Sequence, residues 1–157
     1  MLADEVGRGL RDRGYTISVA ESCTGGLLGD MITDVPGSSD YFLGGVISYS
    51  DDAKVSMLGV DEGVLRSKGA VSQEVAIQMA SGVRSKFGST IGVGITGIAG
   101  PSGGTQAKPV GLVFISVCSA TSTVCKRHVF DGPRESVKRQ AAERALGLVL
   151  EFVSRAQ

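Results

Sequence analysis

The sequence predicts an α/β fold, one mixed β-sheet with helices on both faces. Three observations carry that prediction. A β-branched run, Thr16-Ile17-Ser18-Val19, leads through a polar, glycine-rich turn into a helical pattern at Leu27, Leu28, Met31 and Ile32, the order of a βα unit. Two later stretches repeat apolar residues at helical spacing: Ala76, Met79, Ala80, Val83 and Phe87, then Val137, Ala141, Ala145, Leu148 and Phe152. Residues 110–119 and 123–130 read as strands joined only by the polar link Ser119–Ser122. That link implies an antiparallel hairpin, and therefore a mixed sheet. At 157 residues the chain is expected to form a single domain over 1–157 with a substantial core.

The elements follow in order. Residues 2–13 place Leu2, Val6 and Leu10 four apart, a narrow helical stripe that Gly14 ends. Residues 15–21 form the first strand and 25–34 a helix, which Asp34-Val35-Pro36-Gly37 stops because Pro36 biases Val35 away from helix. Tyr41 to Tyr49 reads as a buried strand weakened by Gly44-Gly45. Asp51 or Asp52 is expected to cap a short helix reaching Leu58, and residues 61–68 form another. Ser72 starts a longer helix that Gly88 closes. Residues 90–96 form a strand of small residues, followed by the long loop from Gly97 to Pro109. Loops of that length in a compact domain are often functional. Residues 133–153 make the last helix, with an apolar face broad enough to cover a sheet.

Composition narrows the function classes. Sixteen Lys and Arg balance sixteen Asp and Glu, so bulk charge points to neither nucleic acid nor an anionic membrane. No apolar run approaches the roughly 18–20 residues of a membrane span, and the N-terminus lacks a signal-peptide profile. Cys23, Cys118 and Cys125 are too few and too irregular for a disulfide framework or zinc site, so a cytoplasmic setting with reduced thiols is expected. A single histidine, His128, argues against a His-based metal site or a Ser-His-Asp triad. No metal and no cofactor are expected.

Chemistry concentrates at Glu21-Ser22-Cys23-Thr24-Gly25-Gly26. Polar atoms there sit at a strand's carboxyl end, beside the free N–H groups of a helix, where open α/β sheets bind ligands. Gly25 and Gly26 leave room for a ligand near the backbone. The alternative role of Ser22 or Thr24 is only to cap the helix. As a nucleophile, Ser22 needs a base. Lys54, just after the strand end at Tyr49-Ser50, is the best placed, provided burial lowers its pKa; its alternative is a surface lysine. His128 lies within a strand with no acid to orient it. Tyr49 is a candidate donor to an oxyanion or alkoxide, or else a core-edge aromatic. Thr96 and Gly97 end a third strand and offer a hydroxyl and N–H groups for an oxyanion hole. Arg134, Lys138 and Arg139 place cations in the first turns of the last helix against its dipole, which an anionic partner would rationalise and a solvated face would also explain. Ser22 is preferred to Cys23 because adjacent strand residues point to opposite sides. Gly92, Gly94 and Gly97 match the letters G-x-G-x-x-G, but Gly97 opens a loop and not a helix, so a dinucleotide site is not expected.

Taken together, Ala20-Glu21-Ser22-Cys23-Thr24-Gly25-Gly26, Pro36-Gly37-Ser38-Ser39, Tyr49-Ser50-Asp51-Asp52-Ala53-Lys54, Gly69-Ala70-Val71-Ser72, Thr96-Gly97-Ile98-Ala99-Gly100-Pro101 and Lys108-Pro109-Val110-Gly111 resemble the C-terminal domain of the CinA family in its stand-alone form, over nearly the whole chain. The resemblance implies a three-layer α/β/α sandwich with a mixed sheet, no metal, and commonly a homodimer. It implies an amidohydrolase converting nicotinamide mononucleotide to nicotinic acid mononucleotide and ammonia, with Ser22 as nucleophile and Lys54 as base. Tyr49, Thr96 and an arginine of the last helix fall at supporting positions. The oxyanion donors are expected near Thr24–Gly26 or Gly97, and the phosphate at a helix N-terminus with Arg134 or Arg139. The family usually has a glycine-acid-arginine turn and then paired arginines; Pro133 and Lys138 depart from that pattern. The N-terminal domain of two-domain relatives is expected to be absent. Two other classes compete: a nucleotide-binding module without turnover, and a protein-interaction domain. Direct contact with nucleic acid or membrane is not expected.

Overall fold

The structure is a computed structural model and describes residues 1–155. Five strands form one sheet in the order β2-β1-β3-β4-β5. They are β1 (Ile17–Glu21), β2 (Phe42–Ile47), β3 (Ile91–Gly97), β4 (Leu112–Cys118) and β5 (Thr123–Val129). β1 pairs in parallel with both β2 and β3, whereas β3–β4 and β4–β5 are antiparallel. The helices are α1 (Leu2–Arg13), α2 (Leu27–Thr33), α3 (Asp51–Leu58), α4 (Glu62–Lys68), α5 (Gln73–Phe87) and α6 (Arg134–Arg155). The three layers are as expected: α1, α2 and α6 on one face of the mixed sheet, α3, α4 and α5 on the other.

Chain direction explains the two faces. From β1 the chain steps outward to β2, then back across β1 to β3. Right-handed crossovers in opposite directions must lie on opposite faces, so α2 and the α3–α5 group are separated by the sheet. The reversal places the topological switch point beside the carboxyl end of β1, where α/β sheets bind ligands.

Side-chain alternation supplies the packing. Ile17, Val19, Ile91, Val93 and Ile95 face α1, α2 and α6 in the larger core. On α6, nine side chains are buried, among them Val137, Leu148 and Phe152. Each such Val, Leu or Phe contributes about 1.5–3 kcal/mol by leaving water, so this helix is a main anchor of the fold. On the opposite face, Ala20 packs with Val75, Met79 and Val83 of α5. Gly92 and Gly94 let α5 approach β3 closely: an added Cβ at Gly94 would meet Ala76 O, and Ala80 N at 2.7 Å.

Two sequence expectations need correction. Tyr41–Tyr49 is not a buried strand. β2 is the sheet's edge, and Leu43 and Ile47 are 44% and 57% exposed, because an edge strand has a neighbour on one side only. Neither Asp51 nor Asp52 caps α3; Ser50 does, its hydroxyl accepting from Ala53 N at 3.1 Å. The two aspartates instead occupy the first turn, where carboxylates favour the positive end of the helix. Among the described residues, no helix is long and apolar enough to cross a membrane.

Candidate active site

Ser22 follows the central parallel strand and is pinned from both sides. Its N–H donates to Ile95 O at 3.1 Å, while Ser48 N donates to Glu21 O at 2.8 Å. The period-two alternation of β1 continues through the turn. Glu21 points to the face carrying α2, Ser22 to the face carrying α3, and Cys23 back into the larger core.

On the α3 side, Lys54 Nζ lies 3.0 Å from Ser22 Oγ. The same nitrogen reaches Ser48 O at 2.7 Å and Tyr49 O at 3.3 Å. Lys54 is 1% exposed and forms no ion pair among the described residues. Burial lowers its pKa below the ordinary 10.5, partly opposed by Asp51. A neutral lysine amine has two hydrogens and one lone pair. In the charged form all three contacts are donated by the amine; in the neutral form the two carbonyls would take its hydrogens and its lone pair would face the serine hydroxyl, as the pairing of a nucleophile with a base requires.

Ser22 and Lys54 open into a cavity of about 200 Å³, walled by Cys23, Tyr49, Ala70, Val71, Thr96, Gly97, Ala99 and Arg134. Thr96 Oγ1 donates to Ala70 O at 2.8 Å, which holds the segment before α5 against β3. Arg134 extends from the start of α6 over the mouth. Nη1 donates to Gly100 O at 2.7 Å and Nη2 to the Tyr49 hydroxyl at 3.1 Å.

Other candidate residues lie outside the cavity wall. Thr24 is 1% exposed and its hydroxyl has no hydrogen-bond partner among the described residues. Gly25 and Gly26 shape the turn through left-handed backbone at φ 62° and 106°, which favours glycine. Arg139 is exposed and lines no part of the cavity. Its neighbour Lys138 faces the turn, with Nζ 3.8 Å from where a Cβ on Gly25 would stand. His128 sits on the far edge strand, stacked on Phe130 with ring centroids 5.2 Å apart.

Neither Ser22 nor Thr24 caps α2; Glu21 does. Its carboxylate accepts from Gly26 N at 3.2 Å and from Leu28 N and Gly29 N at 2.9 Å each. Gly25 N and Leu27 N go to Ser22 O and Thr24 O. The donors at this helix start are therefore taken, and none is left on α2 for an anion. Among the described residues of the turn, the Cys23 N–H is directed at its own thiol sulfur, and the Thr24 N–H is left without an acceptor. Sequence reading missed Glu21 as a site residue. The available signal was a carboxylate on a strand's last position, one residue before the serine.

Cys23 does not compete with Ser22. Burial pushes its thiol up from 9.0 to about 12, so the thiolate nucleophile is absent at neutral pH. This has a measurable consequence. Between pH 9.0 and about 12 the unfolded chain releases this proton while the folded chain keeps it, so stability falls as pH rises, by about 1.4 kcal/mol per pH unit. Denaturation midpoints of the wild type should decline above pH 9, and those of Cys23→Ala should decline less steeply.

A larger cavity of about 490 Å³ opens at the other end of the sheet, between Tyr15, the Ser119–Ser122 hairpin and Phe152. Its lysine, Lys126, is exposed and bonds no hydroxyl among the described residues. Its acid, Glu151, is bonded to Arg144 at 3.1 Å. Nothing there activates a nucleophile. Among the described residues, no group of three or more His, Cys, Asp or Glu is arranged to hold a metal.

Residues 1–153 match the sequence model of the CinA C-terminal domain. A putative competence-damage inducible protein of Moorella thermoacetica is 54% identical over 140 residues, covering 89% of this chain and 34% of that protein. A CinA-like protein of Nostoc is 60% identical over 116 residues, covering 74% of this chain and 27% of that protein. The chain thus spans about a third of the length of the curated relatives it matches. Among solved structures, the competence damage-inducible protein A of Klebsiella pneumoniae superposes with a TM-score of 0.96 at 34% identity, covering 99% of this chain and 97% of that one. The competence/damage inducible protein CihA of Agrobacterium tumefaciens gives 0.94 at 35% identity, covering 98% and 94%.

Proposed function

We propose that this chain, which belongs to the family of CinA C-terminal domains, is an amidohydrolase that converts nicotinamide mononucleotide to nicotinic acid mononucleotide and ammonia. The observation that carries this reading is the buried amine of Lys54 at 3.0 Å from Ser22 Oγ, with its hydrogens directed to Ser48 O and Tyr49 O.

In this mechanism neutral Lys54 takes the proton of Ser22 Oγ as Oγ bonds to the carboxamide carbon. The carbonyl oxygen becomes an oxyanion, for which the unspent N–H of Thr24 and the backbone at Gly97, on the cavity wall, are the candidate donors. This narrows the expected Thr24–Gly26 set, because Gly25 and Gly26 have already spent theirs. Protonated Lys54 then gives its proton to the leaving nitrogen. The C–N bond breaks, ammonia departs, and the acyl group remains on Ser22. Water adds to the acyl carbon as Lys54 accepts its proton. The C–Oγ bond breaks, Lys54 returns a proton to Ser22, and the acid is released.

The cavity, at about 200 Å³, is below the roughly 300–1,000 Å³ of sites that enclose drug-sized ligands. It has room for the pyridine carboxamide, with ribose and phosphate left toward the mouth at Arg134. Arg134→Ala is therefore expected to raise KM for the mononucleotide about 10-fold or more, the value of a charge-assisted hydrogen bond. KM for nicotinamide riboside, which lacks the phosphate, should change little. Steady-state kinetics on both substrates checks this.

The reading itself is tested by coupled measurement of ammonia release from nicotinamide mononucleotide, the riboside and free nicotinamide. Release from the mononucleotide is expected. A folded wild type that releases ammonia from none of the three would defeat the proposal.

A further inference from the structure

We propose that Glu21 is a positioning residue of the Ser22 site, bracing the turn that carries Ser22 and the uncommitted N–H of Thr24. This rests on the reading of Ser22 as the nucleophile.

The carboxylate is 2% exposed and forms no ion pair among the described residues. A buried, unpaired carboxylate is costly unless hydrogen bonds satisfy it. Gly26 N, Leu28 N and Gly29 N do so at 3.2, 2.9 and 2.9 Å. Such bonds to a charged acceptor are stronger than neutral ones. The carboxylate also faces the positive end of α2.

Position on the strand gives the capping its consequence. Glu21 and Ser22 are consecutive and face opposite sides of the sheet, so a single backbone segment carries both the cap and the nucleophile. The cap fixes the far end of the turn at residues 26–29. The ladders to Ile95 O and from Ser48 N fix its near end. Between these anchors Gly25 and Gly26 adopt left-handed φ, and neither has an N–H left for a ligand. Releasing the cap frees three donors and lets the turn relax, so Ser22 Oγ and the Thr24 N–H lose their fixed placement relative to a bound acyl group. Lys54 approaches from α3 on the other face and is not touched by the change.

The test uses the full chain, with a fluorophosphonate as probe. Ser22 Oγ attacks its phosphorus, fluoride leaves, and the serine proton passes to Lys54. Mass spectrometry follows the labelling rate against pH, beside ammonia release from nicotinamide mononucleotide. For Glu21→Gln, which offers one acceptor oxygen in place of two, kcat and the labelling rate should both fall about 100-fold, the scale of a misplaced oxyanion donor. KM should stay within about threefold, and the pH midpoint of labelling should not move, since Lys54 sets it. Glu21→Asp keeps the charge but shortens the reach, so it should not restore the rates; it also carries the test if thermal melting shows Glu21→Gln unfolded. Wild-type rates in Glu21→Gln, full rescue by Glu21→Asp, or a displaced midpoint would each overturn the proposal. The last would mean that Glu21 acts on the charge of Lys54. Wild-type protein that labels at Ser22 but releases no ammonia would remove the substrate assignment and leave the role of Glu21 to be read from labelling alone. Wild-type protein that neither labels nor turns over would overturn both readings.

Discussion

Lys54→Met should abolish ammonia release and leave the fold standing. Turnover is expected to drop about 10⁴-fold, the scale seen when one member of a nucleophile–base unit is removed. Ser22→Ala should cost as much, and the double variant little more than either single one, because the two groups act in one step. Stability should change little. Removing a buried amine, 1% exposed, relieves its desolvation. It also leaves Ser48 O and Tyr49 O without their donor, at about 1–3 kcal/mol each. These effects oppose each other, so urea midpoints should stay close to wild type while activity vanishes. The pH dependence has a definite sign. Burial lowers the pKa of Lys54 from 10.5, and only the neutral amine accepts the serine proton. The wild-type kcat/KM should therefore rise with pH along a limb whose midpoint lies below that of an ordinary lysine. A rate that is flat through this range, or substantial turnover in Lys54→Met, would remove lysine as the base.

Gly94→Ala is expected to lower stability by about 3 kcal/mol or more, through overpacking against backbone that cannot shift. The added methyl would stand against Ala76 O, and 2.7 Å from Ala80 N. Both atoms belong to the hydrogen-bonded ladder of α5. The neighbours are not flexible side-chain ends, so relief requires lifting the helix from β3 and opening the core around Val75, Met79 and Val83. Gly9→Ala provides a control of opposite sign. In the interior of α1, its Cβ would meet only Val153 Cγ1 at 3.7 Å and Leu150 Cδ1 at 3.8 Å, ordinary contact distances. There the higher helix propensity of alanine should add about 0.5–1 kcal/mol. Urea denaturation of both variants beside wild type reads the contrast. Equal effects at the two positions would mean that helix–sheet clearance does not control this face.

The same glycines show how far the sequence could be read. Gly92, Gly94 and Gly97 suit a dinucleotide fingerprint by their letters alone, and the loop after Gly97 argued against it. In the fold Gly92 and Gly94 admit α5, while Gly97 admits the backbone of β4 at Leu112 and Val113, which no local pattern displays. β2 was misjudged for a related reason. Its residues are apolar enough for a central strand, but hydropathy carries no record of how many neighbours a strand has. The cap of α3 moved by one or two residues, from Asp51 or Asp52 to Ser50, since both serine and aspartate accept hydrogen bonds from a helix start.

By itself the sequence determined what depends on short-range chemistry. Periodicity, capping residues and turn glycines set the helices and strands to within a few residues. The polar turn after β1 marked Ser22, and the polar stretch after β2 marked Lys54. Only the tertiary structure decided how these parts meet. Strand order 2-1-3 sets β1 between β2 and β3, and so brings together two residues 32 positions apart in the chain. It made Lys138 the cation facing the Gly25 turn and left Arg139 in solvent. It gave Glu21 three donors that the sequence does not show as available. The physical reason is one of reach. A side chain's face follows from its own strand or helix. Which donor it finds, and how much water it loses, follows from elements distant in sequence that pack against it.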